Sequence, residues 1–176
     1  MEISPSPAER VARIGRRFNL ADLKTEVADL LAKVKASPEL PPQSPAIRDL
    51  VAKFTDAWNN LDANSIAECY MPGASLIVNS GSPVIGREGI AELEQGFMSA
   101  FPDLKFRMDD SFTLRDQTVN CWRFVGTNTG PGGTGKKVNF TGFEVWQINE
   151  DNLITAAFEH FDLPTYRSQL GLDRGD

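Results

Sequence analysis

At 176 residues, with 41% hydrophobic and 24% charged side chains, the chain has the composition of one globular domain plus an appendage. Its net charge of −6 is uneven: residues 1–44 hold seven Lys/Arg against six Asp/Glu, which leaves −7 for the rest. So acidic a body lacks the basic stripe that nucleic-acid binding needs, and no apolar run reaches the about 20 residues that span a bilayer.

The N-terminus, MEISPSPAERVARIGRR, has no signal-peptide apolar core, which predicts a cytoplasmic protein. Cys69 and Cys121, few and far apart, read as free thiols of a reducing compartment. Leu20, Leu23, Val27, Leu30, Leu31 and Val34 recur at helical spacing behind Arg10, Arg13, Arg16 and Arg17, predicting a helical arm with a basic start. The stretch SPELPPQSP then places four prolines in nine residues, which no helix continues through. The domain boundary is expected there, with residues 1–45 as helical extension and Pro-rich linker and residues 46–176 as one α+β domain.

In that domain Ile47, Leu50, Val51, Phe54, Ala57, Trp58 and Leu61 form one helical stripe. A short helix over residues 65–70 is expected to stop at Met71-Pro72-Gly73, followed by a hairpin of residues 75–79 and 82–85. A third helix from Gly86 places Ile90, Leu93, Phe97 and Phe101 on one face, and Pro102 ends it. Four long strands follow, at about 104–114, 118–127, 137–148 and 153–161. Helices first and a meander afterwards predict a curved antiparallel sheet with three helices on its concave face, a cone able to hold a small hydrophobic molecule.

Gly130-Pro131-Gly132-Gly133-Thr134-Gly135-Lys136 fits the phosphate-loop pattern GxxxxGK. Lys137 stands where the magnesium-binding Ser/Thr belongs, and a strand follows instead of a helix, so a hairpin loop is expected. One histidine and two distant cysteines make no zinc spacing, and no metal site is expected.

The chemistry-bearing residues cluster in TAAFEHFD, residues 155–162, where Glu159, His160 and Asp162 stand in an apolar run. Strand alternation puts Asp162, His160, Phe158, Ala156 and Ile154 on one face, and Glu159 with Phe161, Ala157 and Thr155 on the other. Asp162 beside aromatic rings is the candidate general acid/base, with His160 as helper; as Asp-Leu-Pro it equally reads as the cap of a final helix. Glu144 on the neighbouring strand joins Asp162 or faces away according to the register across residues 149–152. Asn128, Trp58, Phe97, Trp122 and Trp146 complete the candidate substrate-binding set.

In order and spacing, LVAKFTDAWNNLDANSIAECY, GREGI, AFPDLKF, GTNTGPGGTGKKVNFTG and FEHFDLPTYRSQLG resemble the SnoaL-like polyketide cyclases of the NTF2-like superfamily, from Ile47 to Gly171. The resemblance implies an α+β cone with a cofactor-free pocket, usually a homodimer joined through its sheets. It also implies an acid/base aspartate at the end of the last strand, matched by Asp162, for aldol closure of a polyketide-like carbonyl compound. Asn128 stands where such proteins often have His, and Cys121 where they often have Arg. The resemblance thus favours a cyclase or isomerase. A non-catalytic binding or interaction module is the alternative, and a limonene-type epoxide hydrolase ranks lower, because Arg123 is followed two residues on by Val125 instead of a carboxylate.

Overall fold

The computed structural model describes residues 43–172, apart from Arg115, together with Thr25, Asp29 and Ala32, which are helical and exposed. The predicted arm stripe from Leu20 to Val34 and the arginine cluster lie outside the described residues. The chain divides into two compact units, Met1–Pro42 and Gln43–Asp176. Among the described residues no helix is long and apolar enough to cross a membrane.

The second unit opens with α1 (Pro45–Asn59), which starts at the last proline of the stretch expected to be linker. Ser44 caps it by accepting from the Ile47 amide at 3.3 Å, and Pro45 fills the first turn, where its missing N–H costs nothing. Leu50, Phe54, Ala57 and Trp58 are its buried stripe. At its end the Asn59 side chain clamps β3 (Lys105–Leu114), donating to the Phe106 carbonyl at 2.8 Å and accepting from the Phe106 amide at 3.0 Å. Helix α2 (Ala63–Glu68) is capped by Asp62.

Strand β1 (Tyr70–Val78) begins earlier than predicted and runs through Met71-Pro72-Gly73. The two-residue β2 (Val84–Ile85) reaches only Ser75 and Leu76, and the β1–β6 register shifts between Tyr70 and Ser75. Pro72 therefore sits at an irregularity where no ladder donor is required. Helix α3 (Gly86–Ala100) follows and packs on α2 and β1.

β3, β4 (Gln117–Thr127), β5 (Lys137–Ile148) and β6 (Ile154–Phe161) form an antiparallel meander, and α4 (Leu163–Leu170) folds back on β5. The curved sheet has the order β2-β1-β6-β5-β4-β3. It is mixed, and so differs from the purely antiparallel expectation: β1 and β6 run parallel. Each short meander turn must reverse the chain. The path from β1 to β6 passes through β2, α3 and the strands β3 to β5, which is long enough to return in the same direction.

The helix-covered face of the sheet is a continuous aromatic layer. Trp58 stacks on Phe106 at 5.2 Å, Phe54 meets Trp146 edge-on at 4.9 Å, and Phe101 meets Phe124 edge-on at 5.2 Å. Tyr166 of α4 closes one end against Phe140 and Phe161. Edge-to-face contacts of this kind add about 0.5–1.5 kcal/mol each beyond burial.

Candidate active site

One row crosses this aromatic face and is polar. Register pairs Ser111 of β3 with Asn120 of β4, Asn120 with Glu144 of β5, and Glu144 with Glu159 of β6. Directly paired residues share a face. Asn120 lies between Thr118 and Trp122, Glu144 between Gly142 and Trp146, and Glu159 between Ala157 and Phe161. The row therefore points at the helices. Gly142 is what lets the Trp122 ring lie across β5: a Cβ there would collide with that ring and with the His160 carbonyl.

A third carboxylate comes down from above. On α3 the buried positions are Ile90, Glu94 and Met98, four residues apart, so Glu94 occupies the centre of the helix's inward stripe. Tyr70, fully buried at the start of β1, adds a phenol beside the three acids. Among the described residues, Glu94 Oε1, Glu144 Oε2, Tyr70 Oη and Asn120 Nδ2 are buried without hydrogen-bond partners. Glu94 and Glu144 are each 2% exposed and Asn120 is 0% exposed, so all three are shielded from bulk solvent.

The electrostatics follow from that crowding. Burial, and then the charge of Glu159, hold the Glu94 carboxyl well above the ordinary range. Burial does the same to Glu144, reinforced by Glu159 and Glu94. The indole N–H of Trp146 opposes this a little without closing a well-formed hydrogen bond. Glu159 keeps some solvent contact as a residue, yet its carboxyl is densely surrounded and burial lifts it from 4.5 to about 7. The Tyr70 phenol is pushed up by burial first and by Glu144, Glu94 and Glu159 next. Like charges this close cannot all ionise together, so the acids separate into proton donors and one group poised near neutrality.

The residues singled out from sequence fall into three places. Glu144 lies in the row; Trp58, Trp122 and Trp146 are buried beside it and Phe97 is partly buried. Asp162 is exposed and caps α4, its Oδ1 accepting from the Thr165 amide at 3.0 Å. His160 pairs with Phe143 across β5–β6 and points away from Glu159, with its ring 5.5 Å from that of Phe143. The register thus aligns Glu144 with Glu159, and Phe143 with His160. Asn128 is occupied by its own loop and the end of α3: its side-chain amide donates to the Ala100 carbonyl at 3.2 Å and accepts from the Thr134 amide at 2.8 Å. The Gly-rich segment around it forms the hairpin loop between β4 and β5.

Sequence reasoning passed over Glu94 and gave Glu159 to the unused face. A signal for Glu94 was present, since it stands four residues after Ile90 and four before Met98 on an otherwise apolar stripe. Both cysteines are buried, and burial raises the Cys69 thiol to about 11. Among the described residues no group of His, Cys, Asp or Glu is arranged to hold a metal ion.

Comparison with known proteins agrees with this architecture. A SnoaL-like polyketide cyclase, so described, from Jannaschia sp. CCS1 superposes with a TM-score of 0.67 at 18% identity, covering 77% of this chain and all of that one. TsrD from Streptomyces laurentii gives 0.65 at 22% identity, over 75% and 99% of the two chains. A protein of ketosteroid isomerase-like fold from Catenulispora acidiphila DSM 44928, in complex with trimethylamine, gives 0.63 at 14%, over 74% and 95%. At these identities the likeness is one of fold. No curated protein shows significant sequence similarity to the chain. Residues 51–157, more than half of the sequence, match the SnoaL-like domain, and the chain belongs to that family.

Proposed function

We propose that the chain is an acid/base enzyme, a cyclase or isomerase of a small hydrophobic carbonyl compound, working through its buried carboxyl groups. The observation that carries this reading is the convergence of Glu94, Glu144 and Glu159 with the unpartnered Tyr70 hydroxyl inside an aromatic layer. Glu159, poised at about 7, takes the proton alpha to the carbonyl. The protonated Glu144 or Glu94, or the Tyr70 hydroxyl, donates to the enolate oxygen that forms. In an isomerisation the proton returns from Glu159 to another carbon. In a cyclisation the enolate carbon attacks a second carbonyl, a C–C bond forms, and the new alkoxide takes a proton from a neutral glutamic acid. In both reactions every proton taken from or given to the substrate is handled by groups of one cluster.

The test needs no knowledge of the natural substrate. Exchange of α-hydrogens for deuterium in a panel of enolisable ketones, followed by NMR in D2O, reads the base directly. Glu159→Gln is expected to slow exchange by about 10²–10⁴-fold, the usual contribution of a positioned acid/base. Undiminished exchange in that variant refutes the assignment, and no exchange by the native protein with any ketone favours the non-catalytic binding module.

One observation supports a second reading. Glu144 faces Glu159 directly across β5–β6, so a neighbouring-strand carboxylate of the kind epoxide hydrolysis needs is supplied by β5, while Arg123 points to the other face and pairs with Asp109 at 3.5 Å. One carboxylate would activate water and the other, protonated, would protonate the epoxide oxygen. Conversion of a cyclic terpene epoxide to its diol, lost in both Glu144→Gln and Glu159→Gln, would favour it over the first.

A further inference from the structure

A line of side chains leads from the surface to the buried acids. Between α1 and β3 lies a groove of about 480 Å³ whose lining includes Gln43, Val51, Thr55, Met108 and Ser111. At its edge Gln43 Nε2 donates to Ser111 Oγ at 2.9 Å, and Ser111 Oγ donates to Asn120 Oδ1 at 2.6 Å. That chain fixes the Asn120 amide. Ser111 already accepts from Gln43, so its hydroxyl hydrogen needs an acceptor, and the carbonyl end of the amide provides one. The –NH₂ end is then left to the interior, where Nδ2 is fully buried and without a partner among the described residues. Glu144, its cross-strand neighbour, is equally unpartnered at Oε2, so the two groups stand side by side without bonding each other.

We propose that Asn120 is the fixed hydrogen-bond donor for the oxygen of the bound carbonyl compound, that Ser111 positions it, and that the α1–β3 groove is the way in. This rests on the acid/base reading of the same site. A carbonyl oxygen has two lone pairs, and one placed beside Asn120 and a protonated Glu144 accepts from both. The pair of donors selects substrates presenting an oxygen acceptor at that end of the row. As the oxygen gains negative charge the donation strengthens, so the amide acts on the enolate more than on the ketone.

Binding of 2-naphthol to the full chain, followed by its absorbance and fluorescence, reads donation to a ligand oxygen without turnover. Ser111→Ala is expected to weaken binding of the ionised naphthol about tenfold. It is also expected to lower kcat for α-hydrogen exchange by a similar factor with little change in KM, the pattern of an interaction made mainly in the transition state. Ser111→Thr, which keeps the hydroxyl, restores both. Asn120→Ala, if folded by near-UV circular dichroism, loses about 10²-fold, the usual cost of deleting one oxyanion donor. A folded Ser111→Ala protein that binds naphthol and exchanges ketones like the native one overturns the proposal. So does a Ser111→Thr protein as impaired as Ser111→Ala, or a native protein that binds no naphthol. Glu159→Gln separates the two layers: exchange that survives it sinks the base assignment alone, whereas naphthol binding indifferent to Ser111 and Asn120 sinks the donor alone.

Discussion

Replacing Glu159 by Gln removes an ionisable group whose carboxyl is lifted by burial from 4.5 in the open chain to about 7 in the fold. Between those two values the unfolded chain has released a proton that the folded chain keeps, so stability falls as pH rises across that window. The penalty is absent well below 4.5 and complete above about 7. A shift of about 2.5 units at 1.36 kcal/mol each makes it about 3 kcal/mol, of which about 2.5 kcal/mol develops between pH 5 and pH 8. Gln cannot ionise, so the variant lacks this decline. It also relieves Glu144 and Glu94 of a charge that raises them, which lessens their own penalty in the same direction. Urea unfolding at pH 5 and pH 8 measures the difference. The native protein should lose at least about 2.5 kcal/mol more than Glu159→Gln between the two. Equal losses would mean that the Glu159 carboxyl titrates as an open one, and the buried cluster would not exist in solution.

Asp162→Ala should remove the α4 cap, costing about 0.5–2 kcal/mol, while leaving ketone exchange at the native rate. Exchange that collapses with a barely shifted melting temperature would put the chemistry at the rim and contradict the interior assignment. Gly142→Ala should lower stability by about 1–3 kcal/mol and alter the near-UV tryptophan signal, because the new methyl meets the Trp122 ring and the His160 carbonyl. A variant within about 0.5 kcal/mol of the native protein, with an unchanged spectrum, would show that Trp122 does not lie across β5 as described.

Much of the fold was legible because local chemistry and the final packing agree. The apolar stripe read from Ile47 onward is α1, whose Leu50, Phe54, Ala57 and Trp58 are buried, although Leu61 lies past the helix end and is exposed. The meander strands fall within a residue or two of their alternating runs. Where the reading failed, tertiary pairing overrode a local cue: Pro72-Gly73 looked like a stop, yet an unpaired irregularity beside a two-residue β2 lets the strand pass through it. The parallel β1–β6 pairing has no local cue at all, since it depends on where a long connection returns.

The site was half legible, and the reason lies in β6. Alternation correctly separated Glu159, Phe161 and Ala157 from His160 and Phe158, but not which set faces the helices. Ala156 is 6% exposed and Ala157 3%, so both faces of the strand are apolar and the pattern carries no inside or outside sign. Asp162, read from sequence both as the acid and as a helix cap, is exposed and caps α4. What stands inside is harder to explain by folding alone. Three carboxyl groups share an apolar interior, and the ion pairs described all lie elsewhere, between Lys53 and Glu68 and between Asp109 and Arg107 or Arg123. Nothing cationic neutralises Glu94, Glu144 or Glu159 among those pairs, so the cluster opposes stability as pH rises through neutrality. Apolar side chains at these positions would match the surrounding aromatic layer without that cost. A local violation of this kind, set among residues that otherwise agree with the fold, is the pattern expected of a working site. It is also why the acid/base chemistry we propose is placed on the row from Asn120 to Glu159.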